Sequence, residues 1–288
     1  MHHSHSQKLE AALYVVATPI GNLRDITLRA LDVLAAADAV AAEDTRNTAH
    51  LLSHHGISAN RLMAVHQHNE RGAAEKIVAM LQAGQSVAFV SDAGTPAVSD
   101  PGALLVQAVL AAGLRVIPVP GASAAVAALS ASGLAAPHFL FYGFLPNKSA
   151  ARCTVLQGLQ SHPYTLVFYE APHRIVECVA DLHVVFGGER QIVLAREVTK
   201  LFETIHACRL DEAEAWLQSD SNQQRGEFVV LVSGAEPQQG LSVEVLATLS
   251  LLLEELPLKQ AVQLAAKISG ANRSELYQEA LRMKEAAE

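Results

Sequence analysis

Cysteine is scarce in this chain, and the apolar runs are short. The three cysteines, Cys153, Cys178 and Cys208, lie far apart and include no Cys-x-x-Cys pair, so they provide neither a disulfide framework nor a zinc signature. No apolar stretch approaches the ~20 residues of a membrane-spanning helix. The N-terminus has no apolar signal-peptide core. We therefore expect a soluble cytoplasmic protein with no membrane partner and a disordered tail over residues 1–12.

Charged side chains make up only 17% of the sequence, and their formal balance is -8. A negative balance argues against a protein that coats nucleic acid. Only residues 140–210 carry more basic than acidic side chains, so a local basic site is still compatible with the composition. Half of the 288 residues are apolar, which excludes whole-chain disorder and, at ~100–200 residues per domain, indicates about two domains.

The first half of the chain alternates short β-branched runs with helical patterns. The runs predict strands at residues 13–17, 39–42, 62–65, 86–90 and 115–119. The segment 25–27 can cap the first helix, and Pro101 fits the first turn of a later one. Because strands that alternate with helices form parallel βαβ units, we predict an α/β domain with a parallel sheet over residues 13–137.

The second half has a less regular pattern. It predicts strands at residues 139–144, 164–169, 192–195, 202–207 and 227–232. A single helix separates the last two strands, so we expect a mixed sheet in a second α/β domain over residues 138–235. A polar linker follows over 234–240. The helical unit over 241–288 resembles a helix-turn-helix arrangement.

Ligands of open α/β sheets bind beyond the carboxyl ends of the strands. Three such loops, 18–22, 91–96 and 121–123, are rich in Gly, Pro and small polar residues. The absence of G-x-G-x-x-G and Walker A sequences weakens NAD and P-loop interpretations. Asp92 directly follows a strand, where its carboxylate can bind a ligand or face a cation. Capping of a turn is the alternative for Asp92, and capping of the next helix is the alternative for Asp100.

Two histidine pairs, His50 with His54 and His66 with His68, have spacings that bring imidazoles together. Zinc needs three or four convergent ligands, and neither an H-E-x-x-H sequence nor a cysteine partner is present. We predict no metal site.

A series of short motifs spans nearly the whole chain. The motifs include Thr18-Pro-Ile-Gly-Asn22, Ala42-Glu-Asp-Thr-Arg46, His68-Asn-Glu70, Val90-Ser-Asp-Ala-Gly-Thr-Pro96, Pro120-Gly-Ala-Ser123, Gly143-Phe-Leu-Pro146, Phe168-Tyr-Glu-Ala-Pro-His-Arg174 and Ala195-Arg-Glu-Val-Thr-Lys200. With them the chain resembles the ribosomal RNA small subunit methyltransferase I family of the tetrapyrrole-methylase superfamily. Any one motif is weak, but their order over residues ~13–286 is specific.

The resemblance implies an α/β, two-domain tetrapyrrole-methylase-like fold. A parallel-sheet N-terminal domain, a mixed-sheet second domain and a small helical C-terminal unit would make up a homodimer. The resemblance also implies that S-adenosylmethionine (SAM) binds in the cleft between the two α/β domains. The activity would be 2'-O-methylation of a cytidine in the decoding region of 16S rRNA, with the 30S ribosomal subunit as partner. Carried over by motif, the cofactor-binding residues would be Pro19, Ile20, Gly21, Asp92, Ala93, Gly94, Thr95, Ser123, Ala124, Tyr169, Ala171 and Ala195.

The acceptor hydroxyl must lose a proton, which a nearby general base can assist. The candidates on the cleft edges are Asp25, Asp100, Glu170, His173 and Glu197. For Glu197 the alternative is an ion pair with Arg196, Lys200 or Arg174. For His173 the alternative is a surface position at a helix start.

Substrate RNA needs cations at its phosphates. The substrate-binding candidates are Asn22, Arg24, Arg46, Lys148, Arg152, Arg174, Arg196 and Lys200, with turns, ion pairs or scattered solvated charge as the alternative.

Phe141 and Tyr142 are candidates for stacking on a splayed base, with core packing as the alternative. Two other functions stay open: methylation of a porphyrin-like carbon acid, and a non-catalytic role in ribosome assembly.

Overall fold

The computed structural model describes residues 8–66, 69–135, 137–236, 241 and 243–285. The chain divides after Gly234 into two compact units. Residues 1–7 of the predicted tail lie outside the described residues, as does His68 of the motif series. The prediction of a disordered tail is wrong for Leu9 and Ala12. Leu9 packs against the core and Ala12 is fully buried, because burial removes these apolar side chains from water.

A five-stranded parallel sheet lies in the first half of the chain, as predicted. Its strands are β1 (Leu13–Val16), β2 (Ala39–Ala42), β3 (Leu62–Ala64), β4 (Val87–Val90) and β5 (Val116–Val119), in the order β3-β2-β4-β1-β5. The helices are α1 (Leu28–Ala36), α2 (Thr45–His54), α3 (Glu70–Gln82), α4 (Ala103–Ala111) and α5 (Ala124–Ala131). Apolar clusters cover both faces of this sheet, which explains the continuous apolar strands.

The helix starts follow local hydrogen bonding, with one difference from the prediction. Thr27 caps α1, since its side chain accepts a hydrogen bond from the N–H of Ala30 at 3.1 Å. The predicted placement of Pro101 in the first turn of a later helix is wrong, because that helix, α4, begins at Ala103. The free N–H groups of that first turn are bound by the Glu70 carboxylate of α3, a partner 34 residues away in the chain.

The second sheet is mixed, as predicted. Its strands are β6 (Phe139–Phe144), β7 (Thr165–Glu170), β8 (Gln191–Arg196), β9 (Thr204–Arg209) and β10 (Phe228–Val232), in the order β6-β7-β10-β8-β9. Only β6 and β7 pair in parallel. Helices α6 (Ser149–Leu159), α7 (Ile175–Phe186) and α8 (Leu210–Ser219) belong to the same half. Strand β9 starts two residues later than predicted, since Leu201 and Phe202 lie exposed in the loop before it.

The C-terminal unit is helical. It contains α9 (Val243–Glu255), α10 (Leu258–Ser269) and α11 (Arg273–Glu285), which bury Leu249, Val262 and Leu276. Gly270 ends α10 in the left-handed conformation. Among the described residues, none of the helices is both long and apolar enough to cross a membrane. The predicted domain boundaries remain predictions.

Candidate active site

Three loops meet at the carboxyl edge of the first sheet. The backbones of Thr18 and Gly94 exchange two hydrogen bonds, which join the loops after β1 and β4. The Thr95 hydroxyl donates to the Ala122 carbonyl at 3.1 Å, and this contact adds the loop after β5. The strand edge therefore brings together the three loops that the sequence marks as a ligand site.

Close approach of these loops depends on glycine. Gly94 has φ +78°, and a Cβ atom there would lie 3.3 Å from Ile20 Cγ2. A Cβ atom at Gly121 would lie 2.9 Å from the Ala17 Cβ. A side chain at either position would push the loops apart.

A cavity of about 330 Å³ opens between these loops and the second sheet. Its wall includes eight of the residues predicted to bind cofactor: Ile20, Ala93, Gly94, Thr95, Ser123, Ala124, Tyr169 and Ala171. The structure thus gathers these eight residues from four separate segments of the chain around one space.

The other four predicted cofactor residues lie elsewhere. Pro19 and Asp92 line a second cavity of about 200 Å³. Gly21 packs against Lys200, whose Cγ would lie 2.4 Å from a Cβ at that glycine. Ala195 is fully buried within β8. None of the four is on the wall of the larger cavity.

The Asp92 carboxylate binds the start of helix α2. It accepts hydrogen bonds from the N–H of Asp44 at 3.1 Å and from the Asn47 amide at 3.0 Å. These contacts hold the loop after β4 against the start of helix α2, whose own N-cap is Asp44.

Among the acidic groups on the wall of the larger cavity, Asp100 is the one without a cationic partner in the part of the chain that the structure describes. Burial, and then the negative charge of Glu43, raise the pKa of Asp100 to about 6. Asp92 adds to this effect, while a hydrogen bond with Ser91 opposes it. Burial also raises the pKa of Glu43. These neighbouring acids favour a positively charged ligand next to Asp100.

Strained backbone flanks Asp100. Ala97 and Ser99 both have φ +64°, a conformation that costs a non-glycine residue roughly 1–3 kcal/mol and often marks a functional site. The strained segment ends at Gly102, whose N–H donates to the Glu70 carboxylate at 3.0 Å. Glu70 is itself buried, so it holds the segment against helix α3.

Three aromatic rings line or support the second-sheet side of the cavity. The Tyr169 hydroxyl accepts a hydrogen bond from the N–H of Ala125 at 3.2 Å, and burial raises the pKa of Tyr169. Phe141 and Phe144 contact the Tyr169 ring at centroid distances of 5.0 and 5.7 Å. Phe144 reaches the cavity wall. Phe141 packs against the core, which was the alternative to its stacking on a base.

Two of the proton-acceptor candidates are paired with cations. Glu170 is buried, and its carboxylate lies 3.2 Å from Arg174. Glu197 lies 3.0 Å from the Lys200 ammonium. Burial opposes ionisation of Glu197, but the Glu227 N–H and Lys200 outweigh it and lower the pKa of Glu197. Asp25 and His173 are exposed and not on the cavity wall.

The predicted phosphate contact of Arg152 is wrong. Its side chain is fully buried and binds Asp181 at 2.6 Å. Arg152 also approaches the carbonyl oxygens of Pro146 and Asn147. A guanidinium in this position stabilises the core and is not accessible to RNA.

The other predicted substrate residues differ in availability. Arg174 donates to the Leu145 carbonyl, and Arg196 to the carbonyls of Asn222 and Arg225. Arg46 is exposed but paired with Asp44, and Asn22 accepts a hydrogen bond from the Arg24 N–H. Arg24 and Lys148 are exposed, while Lys200 lines the cavity in contact with Glu197 and Glu227.

Sequence reasoning missed several residues of the site. Glu43 follows β2 just as Asp92 follows β4, so the strand-edge rule was sufficient to find it. Glu70, Val98 and Phe144 carry no such signal, because tertiary contacts alone bring them to this place. Among the residues that the structure describes, no three His, Cys, Asp or Glu side chains are grouped as metal ligands.

Comparison with known proteins agrees with this architecture. The methyltransferase CobJ superposes with a TM-score of 0.59 at 22% identity, covering 79% of this chain and 96% of that one. A uroporphyrin-III C-methyl transferase from Thermus thermophilus, solved in complex with S-adenyl homocysteine, superposes with a TM-score of 0.54 at 20% identity, over 77% of this chain and 97% of that one. This chain therefore shares its fold with these two proteins.

Sequence comparison specifies the family. Residues 12–214 match the family model of tetrapyrrole (corrin/porphyrin) methylases, and residues 239–284 match the RsmI C-terminal HTH domain. A protein of Pseudomonas aeruginosa named "Ribosomal RNA small subunit methyltransferase I" is 55% identical over 93% of this chain and 96% of its own length. Its namesake in Escherichia coli O157:H7 is 50% identical over 97% and 98%. The chain belongs to the ribosomal RNA small subunit methyltransferase I family of tetrapyrrole methylases, and this confirms the predicted family and the expected methyl-donor cofactor.

Proposed function

We propose that this protein transfers a methyl group from SAM to the ribose 2'-oxygen of a cytidine in the decoding region of 16S rRNA, within the 30S subunit. The observation that carries the proposal is the cavity, with its glycine-dependent loops and its unpaired Asp100. The relatives' name supports ribosomal RNA as the substrate.

The cavity fits the chemistry of the cofactor. SAM carries a sulfonium, an ammonium, an adenosine and a methyl group. A nucleophile attacks the methyl carbon, and S-adenosylhomocysteine is the leaving group. Asp100 offers a carboxylate to the cationic part, and Gly94 lets a ligand approach the loop without meeting a side chain. Binding of a cation at Asp100 offsets the repulsion from Glu43 and Asp92.

The acceptor hydroxyl needs correct placement more than strong activation, since alignment of the reacting atoms supplies a large part of the rate in displacement reactions. Of the five proton-acceptor candidates, Asp100 and Glu170 line the cavity, and Glu170 is paired with Arg174. Asp100 is therefore proposed both to bind the cofactor and to be the available proton acceptor. Both roles require its ionised form.

An assembled subunit suits this protein better than free RNA. Its net charge of -8 provides little general attraction for polyphosphate. Affinity must then come from shape and from a few placed cations, among them Arg24 and Lys148. A folded particle offers such a shape, whereas an isolated strand does not.

Incubation of the purified protein with methyl-labelled SAM and unmethylated 30S subunits tests the proposal. We expect label on one ribose, at a nucleotide linkage that becomes resistant to alkaline hydrolysis. Asp100→Asn is the matched inactive variant and Asp25→Asn the exposed control. No label on ribose would refute the activity, and label on tetrapyrrole precursors instead would indicate the porphyrin-type reaction.

The homodimer is a separate part of the proposal. Light scattering of the purified protein tests it directly. A mass of twice 30.6 kDa supports a dimer, and a single-chain mass refutes it.

A further inference from the structure

Strand β6 contains a bulge that reverses the facing of one aromatic side chain. Phe141 pairs with Val167, but Gly143 pairs with Phe168 and Phe144 with Tyr169, so Tyr142 is the extra residue. In a regular strand, side chains three positions apart point to opposite faces. Because of the bulge, Phe141 and Phe144 share a face and both contact Tyr169.

Gly143 makes the bulge possible. Its φ is +83°, and a Cβ atom there would lie 2.6 Å from the Ser99 hydroxyl. The strained segment that carries Asp100 therefore packs directly on the bulge. Bulges are frequent beside active sites, where they redirect a side chain.

The redirected Phe144 forms an apolar mouth to the cavity with Val98 and Pro172. All three line the cavity and are exposed to solvent, with Phe144 at 53% and Val98 at 40%. Exposure of large apolar side chains to water costs free energy, and the strained backbone on either side of Val98 adds to that cost. A ligand that covers these side chains would offset part of it. The predicted cofactor residues Gly94, Thr95 and Tyr169 are buried or half-buried on the same wall. The exposed mouth is therefore left for the second substrate.

We infer that Phe144 is the stacking surface for the base of the acceptor nucleotide, presented by the β6 bulge at the mouth of the cavity. The inference rests on the proposed function. The 2'-oxygen of the acceptor nucleotide has to enter the cavity to reach the methyl group, and aromatic rings commonly stack on a base that is splayed out of a folded RNA. The ring binds a flat base of any sequence, so it positions the nucleotide and does not select it.

The kinetic test compares Phe144→Ala with Phe139→Ala. Phe139 is the matched control: it lies on the same strand, is 49% exposed and is not on the cavity wall. Loss of one base–aromatic contact lowers kcat/KM for 30S subunits about ten- to one-hundredfold, mostly through KM. Phe144→Tyr restores most of the activity, and Phe139→Ala leaves it unchanged.

Binding of S-adenosylhomocysteine separates the two possible occupants. If Phe144 stacks on the acceptor base, the Kd of S-adenosylhomocysteine stays within about twofold in Phe144→Ala, measured by calorimetry. A Kd that rises in step with the loss of kcat/KM would assign the ring to the cofactor adenine and overturn the inference. Activity of Phe144→Ala equal to that of Phe139→Ala would also overturn it.

A fluorescence test does not depend on turnover. The chain has one tryptophan, Trp216, so Phe144→Trp and Phe139→Trp each add a single reporter to a known background. With S-adenosylhomocysteine saturating, cytidine 5'-monophosphate quenches the reporter at position 144 and not at 139. If this quenching occurs but the wild type does not methylate 30S subunits, the proposed function fails and Phe144 is still the stacking surface. If no quenching occurs at position 144, the stacking inference is overturned.

Discussion

The buried carboxylate of Glu70 accepts a hydrogen bond from the backbone N–H of Gly102 at 3.0 Å. The same oxygen accepts from Leu104 and Leu105, so a side chain of α3 satisfies the open first turn of α4. A carboxylate is favoured at a helix N-terminus. This contact fixes the end of the strained segment on which Asp100 is presented.

Replacement of Glu70 by Ala removes the acceptor for these three donors. We expect the free energy of unfolding to fall by about 1–3 kcal/mol, together with weaker SAM binding because the Asp100 segment loosens. Urea denaturation and calorimetry measure the two effects. Glu75→Ala, at an exposed site on the same helix, is the control, and equal stability of the two variants would contradict this role of Glu70.

The proposed contact of Asp100 with SAM should make SAM binding dependent on pH. Its pKa is raised to about 6, so the carboxylate is ionised above pH 6 and protonated below it. A cationic ligand needs the ionised form, hence the Kd for SAM should rise as the pH falls from 7 to 5. Asp100→Asn should bind SAM at least about tenfold more weakly and should lack this pH dependence. An unchanged pH profile in the variant would remove Asp100 from the cofactor site.

The same substitution should stabilise the protein without ligand. An acid with a raised pKa in the folded state loses stability as the pH rises through the interval from 3.8 to about 6. Asp100→Asn abolishes this loss, so we expect a gain of about 1 kcal/mol at pH 7.5, after allowance for solvent screening. Thermal unfolding of both proteins at pH 7.5 and pH 4 measures it. A variant less stable than the wild type at pH 7.5 would contradict the raised pKa.

Gly94 and Gly84 allow a matched test of the cofactor loops. Their φ angles are +78° and +80°, but a Cβ at Gly84 meets no atom within 4 Å, whereas one at Gly94 meets Ile20. Both alanine variants should lose about 1 kcal/mol of stability from backbone strain. Only Gly94→Ala should also lose SAM affinity, measured by calorimetry; equal affinity in both variants would contradict the proposed site.

Arg152 and Lys148 separate core electrostatics from RNA contact. Arg152→Ala leaves Asp181, only 15% exposed, without its partner, so we expect a loss of about 3–5 kcal/mol in stability. Lys148→Ala, at an exposed site, should leave stability unchanged and reduce the slope of log K for 30S binding against log salt by about 1. Chemical denaturation and salt-dependent binding measure these effects. A normal salt slope in Lys148→Ala would exclude a phosphate contact there.

The architecture was largely readable from local sequence pattern. Continuous apolar runs such as residues 86–90 identify strands covered on both faces, because each residue must leave water on either side of the sheet. Alternation with helices then predicts parallel pairing. The start of α4 was misplaced because its N-terminal partner, Glu70, comes from another helix, and no local pattern contains that information.

The site was readable in part. Loop composition after β1, β4 and β5 identified residues that do line the cavity, since the carboxyl ends of parallel strands converge by geometry. Arg152 was misassigned because an arginine in an amphipathic pattern has the same sequence appearance whether it meets water or Asp181. Phe144 was missed because a one-residue bulge changes its face.

The fold class, the family and the loops at the cavity follow from the sequence alone, since these depend on local apolar pattern and on motifs in a fixed order. Three properties required the folded structure: which described cations are exposed, which acid on the cavity wall has no cation as a partner among the described residues, and which aromatic ring faces the mouth. Those properties depend on partners far apart in the chain, as between Glu43 and Asp100 or Ser99 and Gly143. Burial and distance set the pKa values and facings, and neither exists until the chain has folded.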